Sequence, residues 1–477
     1  MPRYAIALVL LGAGLRAQSL PLGFVVETMA PNQHGPISLD FLPDGRALFA
    51  EQDTGAVKVI ANAAVATIGT VPGLRVSYSQ GLIAIAVDPQ WPQRPFVYCY
   101  HTDAVAQDLR ITRFAATGDL TNAASTNLQL TSAYVVLDGI PDTMPQHEGG
   151  CLRFAGDGTL YASFGDDLAH CLSQDVTAWN GKIARLRVDA LPAGAGGPPP
   201  RAALVPAGNP FTGPGDVAPL VWALGLRNPF RFHIDPADDS LFVADVGEAA
   251  FDEIDRIDGS GRNLGWPWRE GHAAFMVCGV SEPPSTPPIV EHAVPAVYFA
   301  LISLGVYRAP ATAPHRFGAG YEGDYFCTDH FTGRIWRVHR NGAAWGTAAP
   351  VLASRPPNSG PPGCRGSRTH ASPPTGRCGS SNGSSAASAA CAASGPRPPR
   401  SRPSVRGACR ADPCSRRRRR SCLFSASRST CRSRSCRRPD SRSACSGSRS
   451  RAGARWRCRC RSPATACRAA RDSSRPM

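Results

Sequence analysis

From residue 351 to the C-terminus at residue 477 the chain contains no Lys, Glu, Gln, Ile or Tyr. What remains is mostly Arg, Ser, Ala, Pro and Cys, a composition too poor in bulky apolar side chains to bury a core, so no folded domain is expected there and the segment should be disordered. It nevertheless holds 29 Arg against 3 Asp, or +26, so it alone makes the whole chain basic at +16 and leaves residues 1–350 at −10. A nucleic-acid partner is therefore not expected, because the part able to fold is acidic and repels phosphate. Also missing is any apolar run long enough to cross a bilayer. The run Ala5–Leu11 follows Arg3 and gives way to small residues up to Ala17, the pattern of an export signal over residues 1–17. A soluble secreted or periplasmic protein is expected. Of the 17 cysteines 12 lie in the tail, and Cys99, Cys151, Cys171, Cys278 and Cys327 contain no C-x-x-C spacing, which argues against zinc. Export permits disulfides among these five, an odd number, with the connectivity open.

Between residues 21 and 350 short apolar runs alternate with tight turns. Phe41–Ala50 carries Asp44-Gly45 between two such runs, Phe154–Ala162 carries Asp157-Gly158, Ile234–Val243 is a third copy, and Tyr325–Trp336 a looser fourth. Asp-Gly suits a turn that needs positive φ. Recurring hairpins of this kind predict an all-β, six-bladed β-propeller, with a jelly roll or sandwich as the alternative. Two Gly- and Pro-rich insertions without helical periodicity, Pro192–Pro219 and Gly271–Pro295, read as surface loops shaping one face. The last blade then falls in residues 351–477, the low-complexity Arg/Ser/Cys-rich tail, which reads as translation in the wrong frame of GC-rich DNA. With GC-leaning codons, Pro373–Gly383 read two nucleotides on becomes Ala-Asp-Gly-Thr-Val-Trp-Val-Val-Glu-Arg, another blade hairpin.

Two positions stand out chemically. Arg227 opens the block Gly225–Phe232 between apolar runs, where a buried guanidinium calls for an anionic partner, Asp245 or Glu253. His147 precedes the strand-like Leu152-Arg153-Phe154. One titratable base and one fixed cation at comparable strand starts indicate a site.

The chain resembles the soluble PQQ-dependent glucose/aldose sugar dehydrogenases, whose propeller also occurs in hedgehog-interacting protein. The resemblance rests on Gln80–Pro89, His147–Phe154, Gly181–Leu186, Gly225–Pro236, Asp245–Glu248 with Asp252–Ile254, and Asn263–Pro267, in the family's order over roughly residues 25–345. It implies a site for pyrroloquinoline quinone (PQQ) over the propeller's channel beside a calcium ion. It implies that His147 takes the proton of a sugar C1 hydroxyl and that Arg227 faces the quinone, with Asn228 and Gln80 as cofactor contacts; Ser79 takes the glutamine's column in an ungapped match. Gly247 and Glu248 would bind calcium through their carbonyls, and Asp252 and Glu253 are nearby acids. Sugar substrate and external electron acceptor are the implied partners. Two departures count against binding: Phe331-Thr332-Gly333 stands where well-known members have a lysine, and their last-blade arginines fall in the tail. The alternative is a propeller that binds glycan or protein without catalysis.

Overall fold

The computed structural model describes residues 26–294, 299–309, 316–342 and 344–352, residues 21 and 24, and two short strands at 445–448 and 457–460. Five four-stranded antiparallel sheets follow one another along the chain, each a meander in which neighbours in sequence pair. Sheet one holds β1 (Pro36–Phe41), β2 (Ala47–Glu51), β3 (Ala56–Ala61) and β4 (Ala64–Thr70). Sheet two holds β5 (Leu82–Val87), β6 (Phe96–Thr102), β7 (Asp108–Gly118) and β8 (Leu128–Pro141), and sheet three β9 (Leu152–Phe154), β10 (Leu160–Phe164), β11 (Lys182–Leu186) and β12 (Val221–Leu224). In sheet four, β13 (Pro229–Ile234), β14 (Leu241–Asp245) and β15 (Phe251–Ile257) are followed by a two-stranded insertion, β16 (Arg269–Glu270) with β17 (Ala273–Ala274), before β18 (Val290–Ala293) completes the sheet. Sheet five holds β19 (Leu301–Val306), β20 (Tyr325–Asp329), β21 (Ile335–Asn341) and β22 (Ala344–Leu352).

The sheets stack because sheets two, three and four are apolar on both faces and sheets one and five pack an apolar face against them. Along β14 the period of two turns Leu241 and Val243 toward Tyr161 and Ile183 of sheet three, and Phe242 and Ala244 toward Leu301 and Tyr325 of sheet five. Leu48 and Val57 likewise meet Leu82 and Ile85 between sheets one and two, and Tyr98 and Ile111 meet Leu152 and Leu160 between sheets two and three. Successive meanders packed face to face form the β-propeller that the sequence predicts. The expected sixth blade falls in the tail, most of which lies outside the described residues, as do the expected export signal and most of the segment expected to be disordered. A separate compact unit, residues 399–477, contributes one described hairpin, β23 (Cys445–Ser448) with β24 (Arg457–Cys460).

The Asp-Gly turns behave as expected. Gly45 (φ 90°) joins β1 to β2 and Gly158 (φ 81°) joins β9 to β10, while Asp239 (φ 57°) does the same between β13 and β14. The looser fourth copy differs, because Asp329–Gly333 joins β20 to β21, the second hairpin of its blade, and therefore lies at the opposite end of its sheet.

Arg231, on the innermost strand of sheet four, is buried. Its Nη2 donates to Ile37 O of β1 (2.8 Å) and Ile83 O of β5 (2.9 Å), and its Nη1 to Phe230 O (2.7 Å) and to Gly150 O just before β9. One guanidinium thus joins main-chain carbonyls from three sheets and from the loop leading into a fourth, and every one of these acceptors is uncharged. Burial pulls its proton affinity down to about 10.

Candidate active site

The connections leading into the inner strands β5, β9 and β13 emerge at one end of the stack, together with those joining the second and third strands of each sheet. This geometry gathers most of the singled-out side chains on one face. His147 adopts φ 65°, followed by Gly149 (φ 66°) and Gly150 (φ 104°). A Cβ on Gly150 would lie 2.2 Å from Ile83 Cγ2, and one on Gly165 would lie 1.8 Å from His147 O, so glycines on both sides let this loop press against the end of β10.

That contact delivers Asp166. His147 Nδ1 lies 2.7 Å from Asp166 Oδ1, which also accepts Leu168 N–H at 3.0 Å. His170 Nδ1 lies 2.5 Å from Oδ2, which accepts Trp266 Nε1–H at 2.9 Å. Burial would push this carboxyl up, but the hydrogen bonds from the two imidazoles hold it well below the usual carboxylate range. With Nδ1–H given to Asp166, His147 presents Nε2 as the atom able to accept a proton.

The same residues reach the second loop. Asp166 N–H donates to Arg227 O (2.7 Å), Gly149 N–H donates to Asn228 Oδ1 (3.1 Å), and the Arg227 guanidinium lies over the Trp266 ring at 5.7 Å. His147 and Arg227 therefore belong to one constellation. Arg227 Nη1 donates to Val246 O (2.7 Å) and Nη2 to Glu248 Oε2, while Nε is buried with no hydrogen-bond partner. Neither Asp245 nor Glu253, expected from sequence as its ion-pair partner, fills that role. Asp245 accepts the main-chain N–H groups of Arg227 (2.9 Å) and Asn228 (2.6 Å), and burial pushes its carboxyl up to about 7. Glu253 accepts Gly271 N–H and is buried, as is Asp252, which accepts Gly247 N–H (2.9 Å) and Leu301 N–H (2.7 Å).

Glu270 Oε1 gathers the N–H groups of Glu248, Ala249, Ala250 and Phe251 at 2.6, 2.7, 3.0 and 3.3 Å, fixing the β14–β15 turn. With the acids around it committed, the turn's oxygens for a hard cation are its carbonyls. Those of Gly247 and Glu248 accept no hydrogen bond among the described residues. No group of three or more His, Cys, Asp or Glu among the described residues is arranged to hold a metal ion. Main-chain carbonyls are hard oxygens, the ligand type calcium takes. For an anionic quinone the chain offers the orphaned Arg227 Nε–H and the Asn228 amide N–H₂, whose oxygen is already occupied. Gln80 shares this face, but its amide N–H donates to Asp142 at 2.9 Å.

Sequence reasoning missed Asp166, His170, Glu148 and the role of Lys182. Glu148 accepts Ser79 Oγ–H through Oε2, leaves Oε1 buried without a partner, and burial pushes its carboxyl up to about 8. Lys182, fully buried, donates to Leu172 O (3.0 Å), Ser173 O (2.8 Å) and Asn180 O (2.5 Å), holding the 3-10 turn His170–Gln174. The disulfide Cys171–Cys278 ties the same turn to the insertion after β17, while Cys99, Cys151 and Cys327 are free and buried. A carboxylate following Gly165 at a strand end was the available signal for Asp166; nothing local marks His170.

Replacing Lys182 by Met orphans three carbonyls and should lower stability near neutral pH by about 2 kcal/mol. Burial lowers the lysine's proton affinity from 10.5 to about 7. The unfolded chain then binds more protons between those values, so this group makes stability rise with pH across that window. Urea midpoints from pH 7 to 10 check both points: Lys182→Met should start lower and lose part of the slope.

The β-propeller thus brings a carboxylate-held imidazole and a guanidinium together on one face. Residues 33–299, more than half the chain, match the family model Glucose / Sorbosone dehydrogenase, and the chain belongs to that family. It is 29% identical over 254 residues to protein slr1608 of Synechocystis sp., covering 49% of this chain and 56% of that protein, so it spans less than two thirds of that relative. It is 24% identical over 280 residues to the aldose sugar dehydrogenase YliI of Escherichia coli, covering 57% and 70%. Among solved structures, the PQQ-bound form of the aldose sugar dehydrogenase of Streptomyces coelicolor shares 26% identity with a TM-score of 0.52, covering 71% of this chain and 85% of that one.

Proposed function

We propose that this protein is a PQQ-dependent aldose sugar dehydrogenase oxidising the C1 hydroxyl of a sugar to a lactone. The observation that carries the proposal is the meeting of the Asp166-held His147 with Arg227 and Asn228 at one mouth. Nε2 of His147 accepts the hydroxyl proton, and Asp166 stabilises the imidazolium formed. PQQ, when bound, supplies the two-electron acceptor for the hydride leaving C1. Arg227 and Asn228 would hold it, with Arg227 balancing negative charge by a cation that never deprotonates. Gly247 and Glu248 would hold calcium through their carbonyls. An external acceptor would take up the electron pair.

The protein works outside the cytoplasm in this proposal, for which the Cys171–Cys278 disulfide is the supporting observation. We also infer that residues 351–477 are out of frame, so that the chain as written has impaired activity. A non-catalytic glycan- or protein-binding propeller is the second reading. It is favoured by the absence of lysine from Phe331-Thr332-Gly333 and by the engagement of Arg227 with Glu248.

The test adds PQQ and calcium chloride to the 477-residue chain and to its frame-corrected counterpart, following PQQ binding by absorbance and dye reduction with several aldoses. Saturable binding is expected in both, with sugar-dependent reduction stronger in the corrected chain. Arg227→Gln should weaken PQQ binding about tenfold or more, the worth of one charge-assisted hydrogen bond. Absence of dye reduction from either chain with every sugar would select the binding reading.

A further inference from the structure

Asp166 is a single buried carboxylate facing two imidazoles, His147 on Oδ1 at 2.7 Å and His170 on Oδ2 at 2.5 Å. Both rings direct Nδ1 at it, so both present Nε2 as the proton-accepting atom. His170 is held as firmly as a residue of the site. Its ring centroid lies 5.2 Å from that of Trp266 and 6.2 Å from that of Phe275, with the planes at 84° and 82°, both edge-on contacts. Its neighbour Cys171 is covalently bound to Cys278, and Lys182 grips the turn from below. The charges around the pair are Asp166 and Asp167 after β10, Arg227 before β13, Asp245 at the end of β14, Glu248 in the β14–β15 turn, and Glu148 adjoining His147 in sequence.

We propose that His170 is a positioning residue of the sugar-oxidising site, sharing Asp166 with His147 so that a proton on His170 weakens the hold of Asp166 on a proton at His147. The proposal rests on the assignment of His147 as the base. The hydrogen bond to Asp166 raises the proton affinity of His170 above its ordinary value, with burial opposing. The carboxylate thus favours the charged form of His170. Once it is charged, Asp166 has less to offer a second cation, and His147 stays free to accept a substrate proton at lower pH than it could beside an undivided carboxylate. Removing His170 acts in the opposite sense. His147 keeps its proton to higher pH, and the acid limb of the rate profile moves up.

The experiment pairs His170→Gln, which keeps a neutral donor beside Asp166, with His170→Asn, which removes the charge with a shorter side chain. Imidazole side chains are titrated by NMR in the PQQ-free protein, and dye reduction is followed against pH in the loaded one. Wild type should show two linked titration steps; both variants should show His147 titrating about one pH unit higher, with the acid limb of dye reduction moved up with it and turnover below the limb reduced about tenfold. An unmoved His147 titration in both variants overturns the sharing and leaves sugar oxidation standing. A shift in only one variant overturns it as well, since side-chain volume and not charge would then be responsible. Linked titration without sugar-dependent dye reduction upholds the shared carboxylate, and the dehydrogenase reading alone falls.

Discussion

Asp166→Asn should reduce sugar-dependent dye reduction by the PQQ-loaded protein by about 10³-fold, within the range expected when a general base is lost. The reason lies in hydrogen-bond polarity. All four groups directed at the carboxylate, His147 Nδ1–H, Leu168 N–H, His170 Nδ1–H and Trp266 Nε1–H, are donors. An amide has one oxygen and one N–H₂, so wherever the N–H₂ faces His147 the ring must turn its bare Nδ1 inward and carry its proton on Nε2. The atom that should accept the substrate proton is then occupied. Should the amide be placed the other way, His170 and Trp266 lose their acceptor, and the turn bearing them loosens. PQQ binding, for which Arg227 and Asn228 are the proposed contacts, should change much less. Equal loss of binding and turnover would instead mean that Asp166 acts only by holding the mouth together.

Arg231→Met should lower stability by about 3 kcal/mol, read as a lower urea midpoint, even though the substitution removes a buried charge without an anionic partner. Relief of desolvation favours the variant, but four carbonyls from β1, β5, β13 and the loop before β9 lose their donor. Orphaned buried acceptors cost roughly 1–3 kcal/mol each, so their sum exceeds the relief. Arg231→Lys should recover only part of the loss, because an ammonium has three donors and no planar fork to span opposed strands. An unchanged midpoint in the Met variant would show that water replaces the guanidinium.

What could be read from the sequence follows from how local its cause is. Asp44-Gly45 and Asp157-Gly158 declare their hairpins because positive φ is a local demand. His147 and Arg227 stand in recognisable blocks before strands, and the structure unites their loops through Asp166 N–H to Arg227 O. Asp166 itself was silent, since a carboxylate at a strand end is ordinary until a chain segment 19 residues away folds against it. The expected pairing of Arg227 with Asp245 failed for a related reason. Asp245 ends a buried strand with its carboxylate beneath main-chain N–H groups, and only the turn beyond it brings Glu248 to the guanidinium. His170 becomes meaningful only once Asp166 is seen to be shared with His147, and the turn that carries it is tied by a disulfide whose partners are separated by 107 residues.

That disulfide encloses Lys182, Arg227, Arg231 and Trp266 within one covalent loop. In the chain-entropy account, closing a loop of about a hundred residues disfavours the denatured ensemble by on the order of 4–5 kcal/mol. The groups that supply the cation and brace the carboxylate would consequently stay tethered even while the surrounding sheets are open. Under reducing conditions the same groups must find one another by diffusion along a free chain, so the site would be the part of the molecule most sensitive to where it is made.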